Sequence, residues 1–128
     1  MENIINKEYT YALIGASANK KKYGYKVLEN LLEAGFDILP INPKGGEILG
    51  QKVYKNINDI TQNIDVVIFV VPPTVTQKVI IDVAKYNIKK VWLQPGSEND
   101  FVINFCKEHS ITCQHSACIM LEQLKYLK

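Results

Sequence analysis

The chain has 128 residues, 47% of them hydrophobic and 22% charged, with a net charge of +2. That length and balance fit one globular domain, residues 1–128, around a single core. The charge leaves no footprint for a nucleic acid partner, and no apolar run reaches the roughly 18 residues of a membrane span.

The polar start, Met1–Glu8, lacks the apolar stretch of a signal peptide. The three cysteines, Cys106, Cys113 and Cys118, show neither a CxxC motif nor the spacing of a disulfide framework. A soluble, reducing, cytoplasmic setting is the expectation.

The segment YTYALIGA, closed by Gly15, reads as a buried strand. From Lys22 a helical pattern begins, with Val27, Leu28, Leu31 and Leu32 on one apolar stripe. Gly35 stands where a left-handed C-terminal cap belongs. FDILPIN is a second strand, which tolerates Pro40 only where no neighbour needs the missing N–H. PKGGEILG is rich in turn residues. QKVYKNINDITQNI is expected to hold a short strand near Val53 and a short helix near Asn58–Gln62.

DVVIFVV is almost continuously apolar and β-branched, as a strand buried on both faces should be, and Pro72-Pro73 ends it. Val75, Val79, Ile80, Val83 and Ala84 then recur at helical spacing. KKVWLQPG is a strand closed by Pro95-Gly96. Ser97 and Asp100 resemble a capping box, followed by a helix whose apolar face is Phe101, Val102, Phe105 and Cys106. ITCQH is a last short strand, and ACIMLEQLKYLK, running to Lys128, a final helix.

Alternating strands and helices imply an α/β fold with a largely parallel sheet. Right-handed crossovers narrow it to a single Rossmann-like, doubly wound, mostly parallel sheet with helices on both faces. Ligands bind such sheets beyond the carboxyl ends of the strands, at the switch in strand order. Four sets of residues follow the long strands: Gly15-Ala16-Ser17, Asn42-Pro43-Lys44-Gly45-Gly46, Pro72-Pro73-Thr74 and Gln94-Pro95-Gly96. Small, proline and amide residues there permit a close backbone approach to a ligand.

The first loop suits an anion. Its backbone N–H groups and the helix N-terminus favour negative charge, and Ser17 adds a hydroxyl. Lys20, Lys21 and Lys22 add positive charge, although a solvated run of surface lysines would read the same. The dinucleotide fingerprint GxGxxG would need glycines at positions 17 and 20, where the chain has Ser17 and Lys20. It would also need an acid after the second strand to hold a ribose diol, and that place holds Asn42, with Lys44 two residues on. A carboxylate there repels a phosphorylated ribose, and a lysine attracts one. Coenzyme A, with its 3′-phosphate, and NADP, with its 2′-phosphate, are the two common ligands of that kind. Lys44 is otherwise a plain turn residue.

The same residues carry a family resemblance. The segments from YALIGASANKKKYG to KNINDI, then DVVIFVVPPTVT, VWLQPGSEN and ACIM, resemble the stand-alone coenzyme A-binding domain family, from about Tyr11 to Met120. The fold is similar to the coenzyme A-binding domain of the succinyl-CoA synthetase alpha subunit. That enzyme needs a second domain with a phosphorylated histidine, which 128 residues are too few to contain. The resemblance therefore implies binding of coenzyme A or an acyl-CoA without ligation.

Carried over by position, it implies that Gly15, Ala16 and Ser17 line the pyrophosphate, with Lys22 and Tyr23 beside them at the helix start. Gly24 also matches the family's helix start, and packing is the main role expected of Tyr23 and Gly24. Asn42, Pro43 and Lys44 would hold the phosphorylated adenosine. Val71, Pro72 and Pro73 would pack on its adenine and ribose side, and Gln94, Pro95 and Gly96 would border the pantetheine arm. The chain departs from the family near its end: members often carry an acidic and a basic residue before the last Cys, where this chain has HSAC.

Candidates for catalysis are few. His109 is expected at a helix end, as a surface or capping residue. His115 lies three residues before Cys118, and a Cys–His pair can make a nucleophile. A small buried Cys118 is the plainer reading. No HExxH motif, paired carboxylates or metal-ligand spacing occurs. No catalytic or metal-binding residue is assigned. A small NADP-binding oxidoreductase and a nucleotide-binding interaction module remain the alternatives.

Overall fold

Strands and helices alternate through the computed structural model of the chain, which describes residues 4–126. The elements are β1 (Thr10–Ile14), α1 (Tyr23–Glu33), β2 (Asp37–Ile41), β3 (Glu47–Ile48), β4 (Gln51–Lys52), β5 (Val66–Phe69), α2 (Pro73–Lys85), β6 (Lys90–Leu93), α3 (Asp100–Glu108), β7 (Thr112–Gln114) and α4 (Ile119–Glu122). The expected final helix is split: α4 is one turn long and a 3-10 segment, Gln123–Tyr126, follows it. The last two residues of that expected helix, 127–128, lie outside the described residues.

Five strands form one parallel sheet in the order β2-β1-β5-β6-β7. The chain moves outward from β1 to β2, then returns to β5 on the other side of β1. That reversal opens a crevice between the carboxyl ends of β1 and β5. The alternation of side chains along each strand sorts the core into two layers. Tyr11, Leu13, Ile38, Val66, Ile68 and Trp92 face one cluster with Val27, Leu28 and Leu31 of α1 and Ile119 of α4. Ala12, Ile14, Val67, Phe69, Val91 and Leu93 face the other, with Ile80 and Val83 of α2 and Val102 and Cys106 of α3. Full burial of the larger of these side chains stabilises the fold by roughly 1.5–3 kcal/mol each. Among the described residues no helix is long and apolar enough to cross a membrane.

Pro40 satisfies its condition. It lies on the edge strand β2, and its carbonyl accepts from Tyr54 N–H at 2.9 Å on the side away from β1. The missing N–H therefore breaks no bond to β1. Gly35, at φ +90°, follows the end of α1 as expected. The strand expected near Val53 is β4, which ends just before it.

Other expectations change. The turn-rich PKGGEILG segment contains half of a hairpin, β3–β4, whose turn residues Leu49 and Gly50 have φ of +51° and +77°. Leucine in that left-handed position is not a hairpin signal. The helix near Asn58 is a 3-10 turn, Ile57–Asp59, capped by the Asn56 side chain. Asn99, not Ser97, caps α3: its Oδ1 accepts from Val102 N–H at 2.9 Å. Phe101 on the same helix is exposed, while Val102 and Cys106 are buried.

Candidate functional site

The crevice beyond β1 and β5 is a cleft of about 750 Å³. Its floor is backbone. Gly15, at φ +98°, turns the chain out of β1 directly against the end of β5: a Cβ there would stand 2.2 Å from the Val70 carbonyl oxygen. Gly24, in the first turn of α1, meets the loop from the other side. A Cβ on Gly24 would stand 1.9 Å from the Gly15 carbonyl oxygen. The GxGxxG pattern puts its glycine for close helix–strand packing at position 20; here Gly24 provides that packing four residues later.

No side chain caps α1, whose first turn contributes Tyr23 and Gly24 to the cleft wall. The N-terminal peptide dipoles of this helix therefore favour an anion in the cleft. The loop before it is held by local bonds. Ser17 Oγ accepts from Asn19 N–H at 3.0 Å, and Asn19 Oδ1 accepts from Lys21 N–H at 3.0 Å. The Ser17 hydroxyl proton is not used in that contact. Lys21 and Lys22 line the cleft, and Lys20 does not. Tyr23 is 64% exposed at the rim, with Lys26 Nζ 5.4 Å from its ring centre. Among the described residues no acid lines the cleft, so the lysine charge is uncompensated in its walls.

Gly15, Ala16, Ser17, Lys22, Tyr23, Asn42, Val71, Pro72, Pro73, Pro95 and Gly96 all line this cleft. The structure thus brings together residues from four separate loops. Asn42 also has a structural task. Its Nδ2 donates to the Ala16 carbonyl at 2.7 Å and its Oδ1 accepts from Lys44 N–H at 2.8 Å. Its amide ties the β2 loop to the β1 loop, and both of its polar atoms have protein partners.

Pro43 lines a second, more apolar hollow of about 360 Å³. Gly15 and Val71 border both spaces, so the hollow adjoins the cleft. Ile41, Ile57, Val75 and Val79 give it apolar walls, and Lys55 stands at its side with Asp82. Lys44 is exposed and lines neither space.

Gln94 is not in the cleft wall either. It is 4% exposed, its Oε1 accepts from Ile119 N–H at 2.8 Å, and its Nε2 reaches Cys118 Sγ at 3.5 Å. With Trp92 Nε1, which donates to the Ala117 carbonyl at 3.0 Å, it docks the C-terminal segment on β6. Sequence reasoning missed Ser97 as a lining residue. Ser97 is 2% exposed, and its Oγ accepts from Val71 N–H at 3.1 Å, joining two walls of the cleft. The cap-like spacing of Ser97 and Asp100 concealed that role.

The histidines stand apart from this site. His109 ends α3, with Nδ1 2.9 Å from the Phe105 carbonyl and its ring stacked on Phe105. His115 Nδ1 contacts Ser116 Oγ at 2.9 Å, whereas Cys118 contacts Gln94. Among the described residues no group of three or more His, Cys, Asp or Glu side chains could hold a metal ion.

Known proteins are similar to this chain. An ADP-forming acetate–CoA ligase from Methanocaldococcus jannaschii is 42% identical over 78 residues, which are 61% of this chain and 11% of the ligase. The chain therefore spans about a tenth of that relative's length. A solved structure of a conserved hypothetical protein from Pyrococcus furiosus matches with a TM-score of 0.85 and 38% identity, over 89% of this chain and 98% of that one. A dinucleotide-forming acetyl-coenzyme A synthetase from Ca. Korarchaeum cryptofilum, solved with phosphate and ADP, matches with a TM-score of 0.73 and 27% identity, over 82% of this chain and 25% of that one. The family model described as a CoA binding domain matches residues 9–123, and the chain belongs to that family.

Proposed function

We propose that the chain is a small cytoplasmic protein that binds coenzyme A or an acyl-CoA, without ligating it, in the cleft between the β1 and β5 loops. One observation carries this reading. The Gly15–Gly24 backbone cradle, the uncapped start of α1 and Lys21 and Lys22 form a cationic cleft with no acid among its described lining residues. Such a cleft suits a pyrophosphate.

In this reading Gly15, Ala16 and Ser17 receive the pyrophosphate. The adjoining hollow, with Pro43, Ile57 and Val71, receives the adenosine. Lys55 stands at the side of that hollow, where it can meet a ribose phosphate, and Lys44 is the alternative on the nearby turn. Pro95 and Gly96 border the pantetheine arm. The likeness to CoA ligases supports the choice of ligand.

Thermal denaturation with coenzyme A, NAD and NADP tests it. Coenzyme A at about 100 times its dissociation constant should stabilise the protein by roughly 2.7 kcal/mol. NAD, whose adenosine ribose carries no additional phosphate, should give a much smaller shift. Equal shifts with coenzyme A and NAD, or a shift with NADP alone, overturn the proposal.

A further inference from the structure

Among the described residues, Lys21 and Lys22 are the only lysines that line the cleft. They come from a run of three, and the turn at Asn19 divides that run. Asn19 Oδ1 accepts from Lys21 N–H and the Asn19 carbonyl accepts from Lys22 N–H, both at 3.0 Å. Lys20 precedes these bonds and does not line the cleft, although all three lysines are exposed. Lys55 lines the hollow and not the cleft.

These two amines are the readiest nucleophiles in the cleft wall. No cysteine or histidine lines it among the described residues. The hydroxyls of Ser17, Tyr23 and Ser97 have no histidine or acid in that wall to activate them. An amine needs only to release a proton to water. The inference that follows rests on the binding reading given above, in which the hollow receives the adenosine. The pyrophosphate, the pantetheine arm and the thioester of an acyl-CoA then share the cleft with Lys21 and Lys22. Holding an amine and a thioester in one cleft makes their reaction effectively unimolecular.

We propose that Lys21 and Lys22 are self-acylation sites: an acyl-CoA bound in the cleft transfers its acyl group to one of these two amines. The amine, having released its proton to water, attacks the thioester carbonyl carbon. A C–N bond forms, the C–S bond breaks, and coenzyme A leaves as a thiolate. The attacking nitrogen gives up a second proton, which the thiolate takes up. One lysine ammonium and one acyl-CoA thus give one amide, one coenzyme A thiol and the proton released to water; nothing is oxidised or reduced. The amide carries no charge. Each transfer removes part of the positive charge that favours a pyrophosphate, so the acylated protein holds coenzyme A more weakly.

Incubation of the folded chain with acetyl-CoA, followed by mass analysis, tests the sites. Cleavage after glutamate releases the peptide Tyr9–Glu29, which carries Lys20, Lys21, Lys22 and Lys26 together, and fragment masses read the occupancy of each. Acetylation at Lys21 and Lys22 should exceed that at Lys20 by at least about tenfold, the effect of a shared cleft, and excess free coenzyme A should suppress it. S-Acetyl-N-acetylcysteamine, the same thioester without the nucleotide, should label the three lysines alike. Lys20→Arg should leave the acetyl-CoA pattern intact, and a Lys21→Arg/Lys22→Arg chain, which keeps both charges, should lose it. The wild-type chain carries the comparison by itself if a variant fails to fold. The same preference with S-acetyl-N-acetylcysteamine would reflect intrinsic reactivity and overturn the proposal. Even labelling, or none, at acetyl-CoA concentrations that raise the melting temperature overturns it and leaves the binding reading standing. Even labelling or none without a melting shift overturns both.

Discussion

Gly24 packs so closely on Gly15 that a Cβ at position 24 would lie 1.9 Å from the Gly15 carbonyl oxygen. The start of α1 and the end of β1 are thereby locked at one distance, and the cleft floor between them is made of backbone. Gly24→Ala must push these elements apart. Overpacking of this kind costs roughly 1–3 kcal/mol. The variant should unfold at lower urea concentration and bind coenzyme A more weakly, as titration calorimetry will read. Wild-type stability and affinity would show that the approach is not needed.

The two lysines near the adenosine side can be told apart. Lys55 lines the hollow, while Lys44 lines neither space. Lys55→Ala should weaken coenzyme A by roughly 1.5–3 kcal/mol, the range of a charge-assisted hydrogen bond, and leave dephospho-coenzyme A nearly unchanged. Lys44→Ala should change both ligands little. A selective loss in Lys44→Ala would return the phosphate to the turn residue that the sequence singled out.

Gln94 is expected to act on stability rather than on the ligand. Gln94→Ala leaves the Ile119 N–H without its acceptor in a buried setting, at a cost of roughly 1–3 kcal/mol. Urea denaturation should show that loss, and coenzyme A affinity of the folded protein should be unchanged. Weaker binding at wild-type stability would place Gln94 against the pantetheine arm instead.

Alkaline conditions should find one weak point in the core. Tyr11 is 1% exposed, donates its O–H to the Ile4 carbonyl at 2.8 Å and accepts from Asn6 N–H at 3.0 Å. Burial raises its pKa from 10.0 to about 12, against the lowering effect of its bond with the Asn6 backbone. The fold thus favours the neutral phenol. That contribution is complete below the unfolded value of 10.0 and is lost as the pH rises through about 12. Two pKa units correspond to roughly 3 kcal/mol. Unfolding free energies measured across this window should fall more steeply in the wild type than in Tyr11→Phe, which starts less stable but lacks the phenol. Parallel slopes would show that other groups govern the alkaline transition.

Much of the architecture is legible in the chain itself, because the signals are local. DVVIFVV reads as a strand buried on both faces, the α1 stripe of Val27, Leu28 and Leu31 repeats at helical spacing, and Gly35 closes that helix. Those periods imply the parallel sheet, and the sheet implies that the loops after β1, β2, β5 and β6 converge. What tertiary structure decided are the contacts between residues far apart in sequence. Ser97 resembles a helix cap until Val71 is brought to its hydroxyl, 26 residues away. Gln94 follows a strand like its neighbours Pro95 and Gly96, but only the docked C-terminal segment gives its amide two partners. Gly24 replaces an absent fingerprint glycine because the helix approaches the strand at its first turn, a distance that no local spacing records.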